Sequence, residues 1–472
     1  MKNHPLRLFA FDIVAPAHLT AGSWRADGDE GHRYTDLEYW KGVARMLEDA
    51  GFDGIFFADT VGYHDVYQQR PDWALRDAAQ FPVNDPLLLV SGMAAVTEHL
   101  AFGVTCSLTY EQPYLLARRF STLDHLTRGR VGWNIVTSYS ESAARNLGLE
   151  RQLDHDERYA LAEEYMEVVY KLWERSWQAD AVVRDTAAAT YVEPSRVHPI
   201  GHRGRYFSVP GFALCEPSPQ RTPVLFQAGA SSRGVAFAAR HAEAVFINAV
   251  STAQARRGVD RIRKAAVEAG RDPYDIKVIV LLTVIVAPTD EEAEAAHEAH
   301  LRHVSVEGAL ARFGGWTGLD LSAWDLDTPL KSMKTRGVQS LIDMFATAGP
   351  ERAWTVRDIA RFLGIGGTGS IVVGSPRTVA AELRRWRDEA DIDGINLSYA
   401  TKPGSWRRFI DLALPELRRQ GIVSPARATG QAVTLREKLF GPGARHTAET
   451  HPATGYRATH HTPAVAAGPA GY

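Results

Sequence analysis

The chain has 472 residues, 45% of them hydrophobic, and its 53 basic and 56 acidic side chains give a formal net charge of −3. So balanced a surface has no positive field for a polyanion, which argues against nucleic-acid binding, and the length suits one elaborated domain or two. Two cysteines, Cys106 and Cys215, allow one disulfide bridge at most and no cysteine-based zinc motif, so no metal is expected and a reducing cytoplasm fits.

The amino terminus, MKNHPLRLFAFDIV, lacks a clean apolar core with a cleavage site and is not read as a signal peptide. Residues 6–14 within it form the first expected strand. Residues 36–50 carry apolar side chains at helical spacing and stop at Gly51, a helix-ending signal. Residues 52–58 read as a second strand, stopped by Asp59, and 85–99 as a helix opened by Asp85 and Pro86. A third strand (100–107), a helix (113–126) and a fourth strand (130–136) follow, then a long amphipathic helix over 154–173. Residues 222–227 are the fifth strand, 232–240 a helix, 244–248 the sixth strand, 253–269 a helix and 276–286 the seventh strand. A helix (379–389), an eighth strand (394–398) and a helix over 406–420 complete the series. The longest apolar run, 278–287, is about half of what a membrane helix needs, so no membrane is expected and the Asn396-Leu-Ser398 sequon is taken as chance.

Several of these strands are unbroken apolar runs, the pattern of parallel strands covered on both faces. Eight of them alternating with helices predict an α/β fold, a closed (β/α)8 TIM barrel over residues 1–425, with an open doubly wound sheet as the alternative. The stretch 364–369 fits GxGxxG, but a helix-like segment precedes it and a strand-like SIVVG follows, the reverse of a dinucleotide-binding turn. Long insertions are expected after strand four (about 176–221) and strand seven (about 298–369), with a polar, aromatic loop at 60–84. Residues 426–472 are rich in Ala, Gly, Thr, His and Pro and are expected to be a disordered tail, with His446, His451, His460 and His461 solvated.

In a parallel barrel the reactive face lies at the carboxyl ends of the strands. Asp59, Thr105, Asn134, Ser138 and Gln227 fall at or just past such ends; each is open to a plain reading as a cap or turn residue. The segment Gly229-Ala-Ser231-Ser232-Arg233-Gly234 links the fifth strand to a helix. Its small residues, helix-start N–H groups and arginine suit a phosphate, and Ser231 or Ser232 as a simple N-cap is the other reading. His155 and Tyr159 share one helix face, either as phosphate donors or as a capping and packing pair. His64 is open to two readings, an acid or base reaching the pocket or a surface-loop histidine. No hydrolase elbow or kinase set is present, which points to a cofactor for the difficult chemistry.

Taken together, the stretches Gly51-Phe-Asp-Gly-Ile-Phe-Phe-Ala-Asp59, Gly132-Trp-Asn-Ile-Val-Thr-Ser138, His155-Asp-Glu-Arg-Tyr159 and Gln227-Ala-Gly229-Ala-Ser231 resemble the nitrilotriacetate monooxygenase component A family. That family is a branch of the bacterial-luciferase-like flavin monooxygenases, and the likeness runs over roughly residues 5–425. It implies reduced FMN as a substrate-like cofactor, delivered by a separate flavin reductase, with O2 and a small organic compound as co-substrates and a flavin peroxide as oxidant. A homodimer or higher homo-oligomer is expected. By position it implies FMN contacts from Asp59, Thr105, Ser138, His155, Tyr159, Ser231 and Ser232. His155, Tyr159 and Ser231 fall on the phosphate, and Asn134, Thr105 and His64 are the catalytic candidates. Alternatives on the same fold are a deazaflavin- or nicotinamide-linked oxidoreductase and a flavin-binding protein without turnover. Arg203 and the segment Leu214-Cys215-Glu216 depart from the family pattern and are expected near a substrate wall.

Overall fold

A computed structural model describes residues 4–229, 231–329, 354–425 and 433–457. Eight parallel strands form its centre: β1 (Arg7–Ile13), β2 (Gly54–Ala58), β3 (Ala101–Ser107), β4 (Val131–Val136), β5 (Val224–Gln227), β6 (Ala244–Ile247), β7 (Lys277–Val286) and β8 (Gly394–Ser398). Each pairs with its neighbour in order, β8 returns to β1, and the ring is closed between β6 and β7 from Ala244 opposite Lys277 to Ile247 opposite Val280. The expected TIM barrel is therefore present as a closed ring rather than an open sheet. The SIVVG stretch is a ninth strand, Ser370–Gly374, laid parallel along the last five residues of β7. Among the described residues no helix is long and apolar enough to cross a membrane.

Side-chain alternation sorts the core into two layers. Phe9, Phe56, Ala101, Val224, Phe226, Ala244 and Ile279 point inward, while their strand neighbours such as Leu8, Ile55, Phe57 and Leu225 join the belt beneath the helices. The ring interior holds Phe9, Phe56 and Phe226, and glycines leave two of them room. A Cβ on Gly103 would lie 2.4 Å from the Phe56 ring, and one on Gly132 would lie 2.5 Å from the Phe226 ring.

The base of the barrel is closed by a segment expected to be disordered. Thr434 caps the helix Leu435–Phe440 through a capping box with Glu437. Leu435 and Leu439 insert against Phe9, Phe56 and Phe226, each contributing roughly 1.5–3 kcal/mol of apolar burial. The Arg436 guanidinium reaches both Glu243 carboxylate oxygens, at 2.6 and 2.9 Å, and the Lys438 ammonium donates to the carbonyls of Asp53 and His99. Residues 433–457 are thus a packed part of the domain, because buried acceptors meet charges that look solvated in the sequence. His451 is buried too, bonded to the His241 carbonyl, while His446 is exposed; His460 and His461 lie outside the described residues.

The insertions take definite shapes. The one after β4 forms two small hairpins, Val182–Asp185 with Thr190–Val192 and His202–Arg203 with Ser208–Val209. Beyond β7, helices Val306–Thr317 and Val356–Gly364 pack with Tyr67, Ala74 and Phe81 of the loop after β2, giving a second apolar core. The helix expected over 85–99 is shorter, Pro86–Ala94.

Candidate functional site at the carboxyl end of the barrel

A cavity of about 420 Å³ opens where β2, β3, β4 and β5 end. Asp59, Thr105, Ser138, His155, Tyr159 and Gln227 all line it, so five strand-end or helix-start positions singled out in the sequence, and Gln227 with them, meet in one place. Ser138 reaches its position with a left-handed backbone (φ 52°), and its hydroxyl pairs with that of Ser107 at 2.7 Å.

The turn after β5 leans on the same rim. Ser231 accepts from the Gly234 N–H at 3.0 Å, capping the helix Ser232–His241, and its hydroxyl also lies 3.3 Å from His155 Nε2. The N-cap reading of Ser231 is therefore what the structure has, and the capping hydroxyl also faces the histidine. Ser232 is the first residue of that helix and is exposed. The turn is drawn close by its glycines. Gly229 N–H donates to Gln227 Oε1 at 2.8 Å, and a Cβ on Gly234 would come within 2.8 Å of the Tyr159 hydroxyl oxygen.

Thr105 and Asn134 are register partners on β3 and β4. The Thr105 hydroxyl donates to the Phe57 carbonyl at 2.8 Å and accepts from Asn134 Nδ2 at 2.9 Å. Asn134 is 5% exposed, and its Oδ1 is buried with no hydrogen-bond partner.

Asp59 is the titratable group that stands out. Burial, aided by the carboxylates of Asp85 and Glu111, raises its pKa to about 7, against the pull of the Thr60 N–H. Its carboxyl is accordingly divided between neutral and charged forms near neutral pH.

His64 is placed elsewhere. It is 4% exposed, its Nε2 lies 2.9 Å from Gln80 Oε1, and it packs on Phe81 and under the helix carrying Gly315, so it is not a surface-loop histidine. Burial lowers its pKa to about 4, leaving it neutral at pH 7, and it does not line the cavity. The family departures also fall away from the site. Arg203 lines a separate cleft with Glu163 and Glu164, and Leu214, Cys215 and Glu216 edge crevices beside Trp173. None of these residues lines the candidate cavity.

Sequence reasoning passed over Arg158. It lines the cavity between His155 and Tyr159 and keeps a buried Nε without a partner. The signal was present, since Arg158 stands inside the His155–Tyr159 motif, three residues after His155 and so near it on the helix surface. Among the described residues no three His, Cys, Asp or Glu side chains are grouped to hold a metal ion.

Comparison with known proteins adds an independent line. A family profile described as luciferase-like monooxygenase matches residues 13–390. The dimethyl-sulfide monooxygenase of Hyphomicrobium sulfonivorans is 52% identical over 450 residues, covering 95% of this chain and 93% of the relative. The crystal structure of DmoA from that organism superposes with a TM-score of 0.90, covering 96% of each chain at 51% identity. A riboflavin lyase crystallised with modified FMN and riboflavin gives a TM-score of 0.87 at 37% identity, covering 96% of this chain and all of its own (100%). Nitrilotriacetate monooxygenase component A of Aminobacter aminovorans is 34% identical over 425 residues, covering 89% of this chain and 93% of the relative.

Proposed function

The chain belongs to the luciferase-like monooxygenase family, and from that premise we propose that it is the oxygenase component of a two-component system. It takes reduced FMN from a separate flavin reductase in the cytoplasm and places one atom of O2 on a small organic substrate. The observation that carries this reading is the convergence of Asp59, Thr105, Ser138, His155 and Tyr159 on one cavity at the mouth of the barrel.

The residues present fit FMN. The turn after β5 offers a helix start, the Ser231 hydroxyl and His155 for a phosphate, with no Cβ on Gly229 or Gly234 to block the approach. Arg158 and Tyr159 stand on the same side of the cavity, and an arginine with a free N–H suits an anion. Thr105 and Asp59, deeper at the strand ends, are left for the ring system. Reduced FMN supplies, when bound, the electrons for oxygen activation that no side chain of this site can provide.

The protein's own part is binding, orientation and exclusion of water. Asp59 is poised to hold or release a proton near pH 7. The loop after β2, which gives Thr60 and Val61 to the cavity wall, is braced by the second core it forms with the insertion beyond β7. A dialkyl sulfide is the first substrate to test, because the relative from Hyphomicrobium sulfonivorans is named a dimethyl-sulfide monooxygenase. Purified protein mixed with chemically reduced FMN, air and dimethyl sulfide should consume the sulfide at a rate that depends on protein concentration. Sulfide loss no faster than with reduced FMN alone, across sulfides, alkanes and aminopolycarboxylates, would overturn the proposal.

A further inference from the structure

Two register partners at the strand ends have a fixed hydrogen-bond polarity: Thr105, which lines the cavity, and Asn134 beside it, one residue before the lining residue Ile135. Thr105 owns one hydroxyl hydrogen, and it goes to the Phe57 carbonyl at 2.8 Å. The same oxygen can then only accept from Asn134, so the Asn134 amide must turn its NH2 toward Thr105, at 2.9 Å, and its carbonyl oxygen away. Rotating the amide by half a turn would set two acceptors against each other. Asn134 lies in register with Phe226 on β5 and with Thr105 on β3, and therefore shares their inward face. Its Oδ1 is buried with no partner, although the residue is only 5% exposed. A buried acceptor left unmet costs about 1–3 kcal/mol, so the site stands ready for a donor.

Flavin chemistry distinguishes its two redox forms by this same polarity. The oxidised ring carries a bare N5 with a lone pair, which is an acceptor. The reduced ring carries N5–H, which is a donor. The N3–H donor is common to both forms. Resting on the FMN reading above, we propose that Asn134 selects reduced over oxidised flavin: its locked carbonyl oxygen accepts from the N–H that only the reduced ring has. The Thr105–Phe57 hydrogen bond is what locks it, so selectivity is set by a backbone carbonyl two strands away. An oxygenase that receives its flavin already reduced gains from such discrimination, because spent oxidised flavin is released and does not block the site.

The test compares affinities for the two forms, with no turnover required. Binding of oxidised FMN in air and of dithionite-reduced FMN under nitrogen is measured for wild type and for Asn134→Leu, with Asn134→Ala as a second variant should the first fold poorly. Wild type is expected to bind reduced FMN at least about tenfold tighter, as one well-placed acceptor is worth. That ratio raises the midpoint potential of bound FMN by about 30 mV relative to free FMN. In the variants the ratio is expected to fall to near one, with oxidised FMN bound no more weakly than before. Wild type without preference, or a folded variant that keeps it, overturns the role of Asn134 and leaves the flavin site standing. Wild type that binds neither form removes the flavin reading itself.

Discussion

The Ser231 hydroxyl stands 3.3 Å from His155 Nε2, joining the turn after β5 to the helix that follows β4, 76 residues earlier in the chain. Two segments distant in sequence are thereby set as the two sides of one small polar site, with Tyr159 and Arg158 one turn along the helix. If that site holds the FMN phosphate, Ser231→Asp sets like charges together. FMN affinity is then expected to fall by more than about tenfold, while riboflavin, which lacks the phosphate, binds as before. Titration by flavin fluorescence reads both; equal losses for the two flavins would remove the phosphate assignment.

A second prediction concerns pH. The Asp59 carboxyl has its pKa raised by burial to about 7 in the folded protein, from an ordinary value of 3.8. The fold therefore favours its protonated form, and the associated stabilisation is complete below the ordinary value and is lost as pH rises through about 7. The same ionisation puts a negative charge in the cavity. FMN is expected to bind more weakly as pH rises from about 6 to about 8, and Asp59→Asn is expected to flatten that slope. A variant with the wild-type slope assigns the titration to another group.

The barrel base yields a stability prediction. Arg436→Met leaves the Glu243 carboxylate buried without its partner, which costs about 3–5 kcal/mol. Leu435→Ala empties part of the base between Phe9, Phe56 and Phe226, at about 2–5 kcal/mol. Both should lower the urea midpoint while leaving FMN affinity of the folded protein unchanged, since the proposed flavin cavity is at the opposite end. Unchanged midpoints would mean that residues 433–457 do not hold the barrel closed.

A fourth prediction tests the close turn after β5. A Cβ on Gly229 would stand 2.5 Å from Gln227 Nε2 and 2.9 Å from the Gly234 Cα. Gly229→Ala must push Gln227 into the cavity or move the helix start away from it. Either way FMN affinity should drop several-fold, about 1 kcal/mol or more, with little change in melting temperature. Full retention of affinity would show that the turn has room to spare.

The barrel was legible because its strands are unbroken apolar runs between capped helices, and the cavity residues because they fall where those runs stop. What escaped has local causes. The helix Leu435–Phe440 offers only two leucines in six residues, and its Arg and Lys read as solvated until Glu243 and two backbone carbonyls, far off in sequence, are seen to meet them. His64 sits in a polar loop, and its cover comes from Phe81 of that loop together with the helix carrying Gly315, some 250 residues later. Arg203 and Cys215 lay in a departure from the family pattern, but a departure in sequence does not fix a place in space, and both ended outside the cavity. The SIVVG strand and the whole of β7 were visible, while their pairing, across some 85 residues of chain, was not.

Oxygen incorporation puts the whole account to its most direct trial. The protein is supplied with FMN, an unrelated flavin reductase, NADH and dimethyl sulfide under ¹⁸O2, and the oxidised product is weighed by mass spectrometry. The account predicts one ¹⁸O atom per product molecule, with the label lost when the gas is unlabelled and the water is labelled instead. Product whose oxygen comes from water, or product formed at the same rate without the protein, would contradict it.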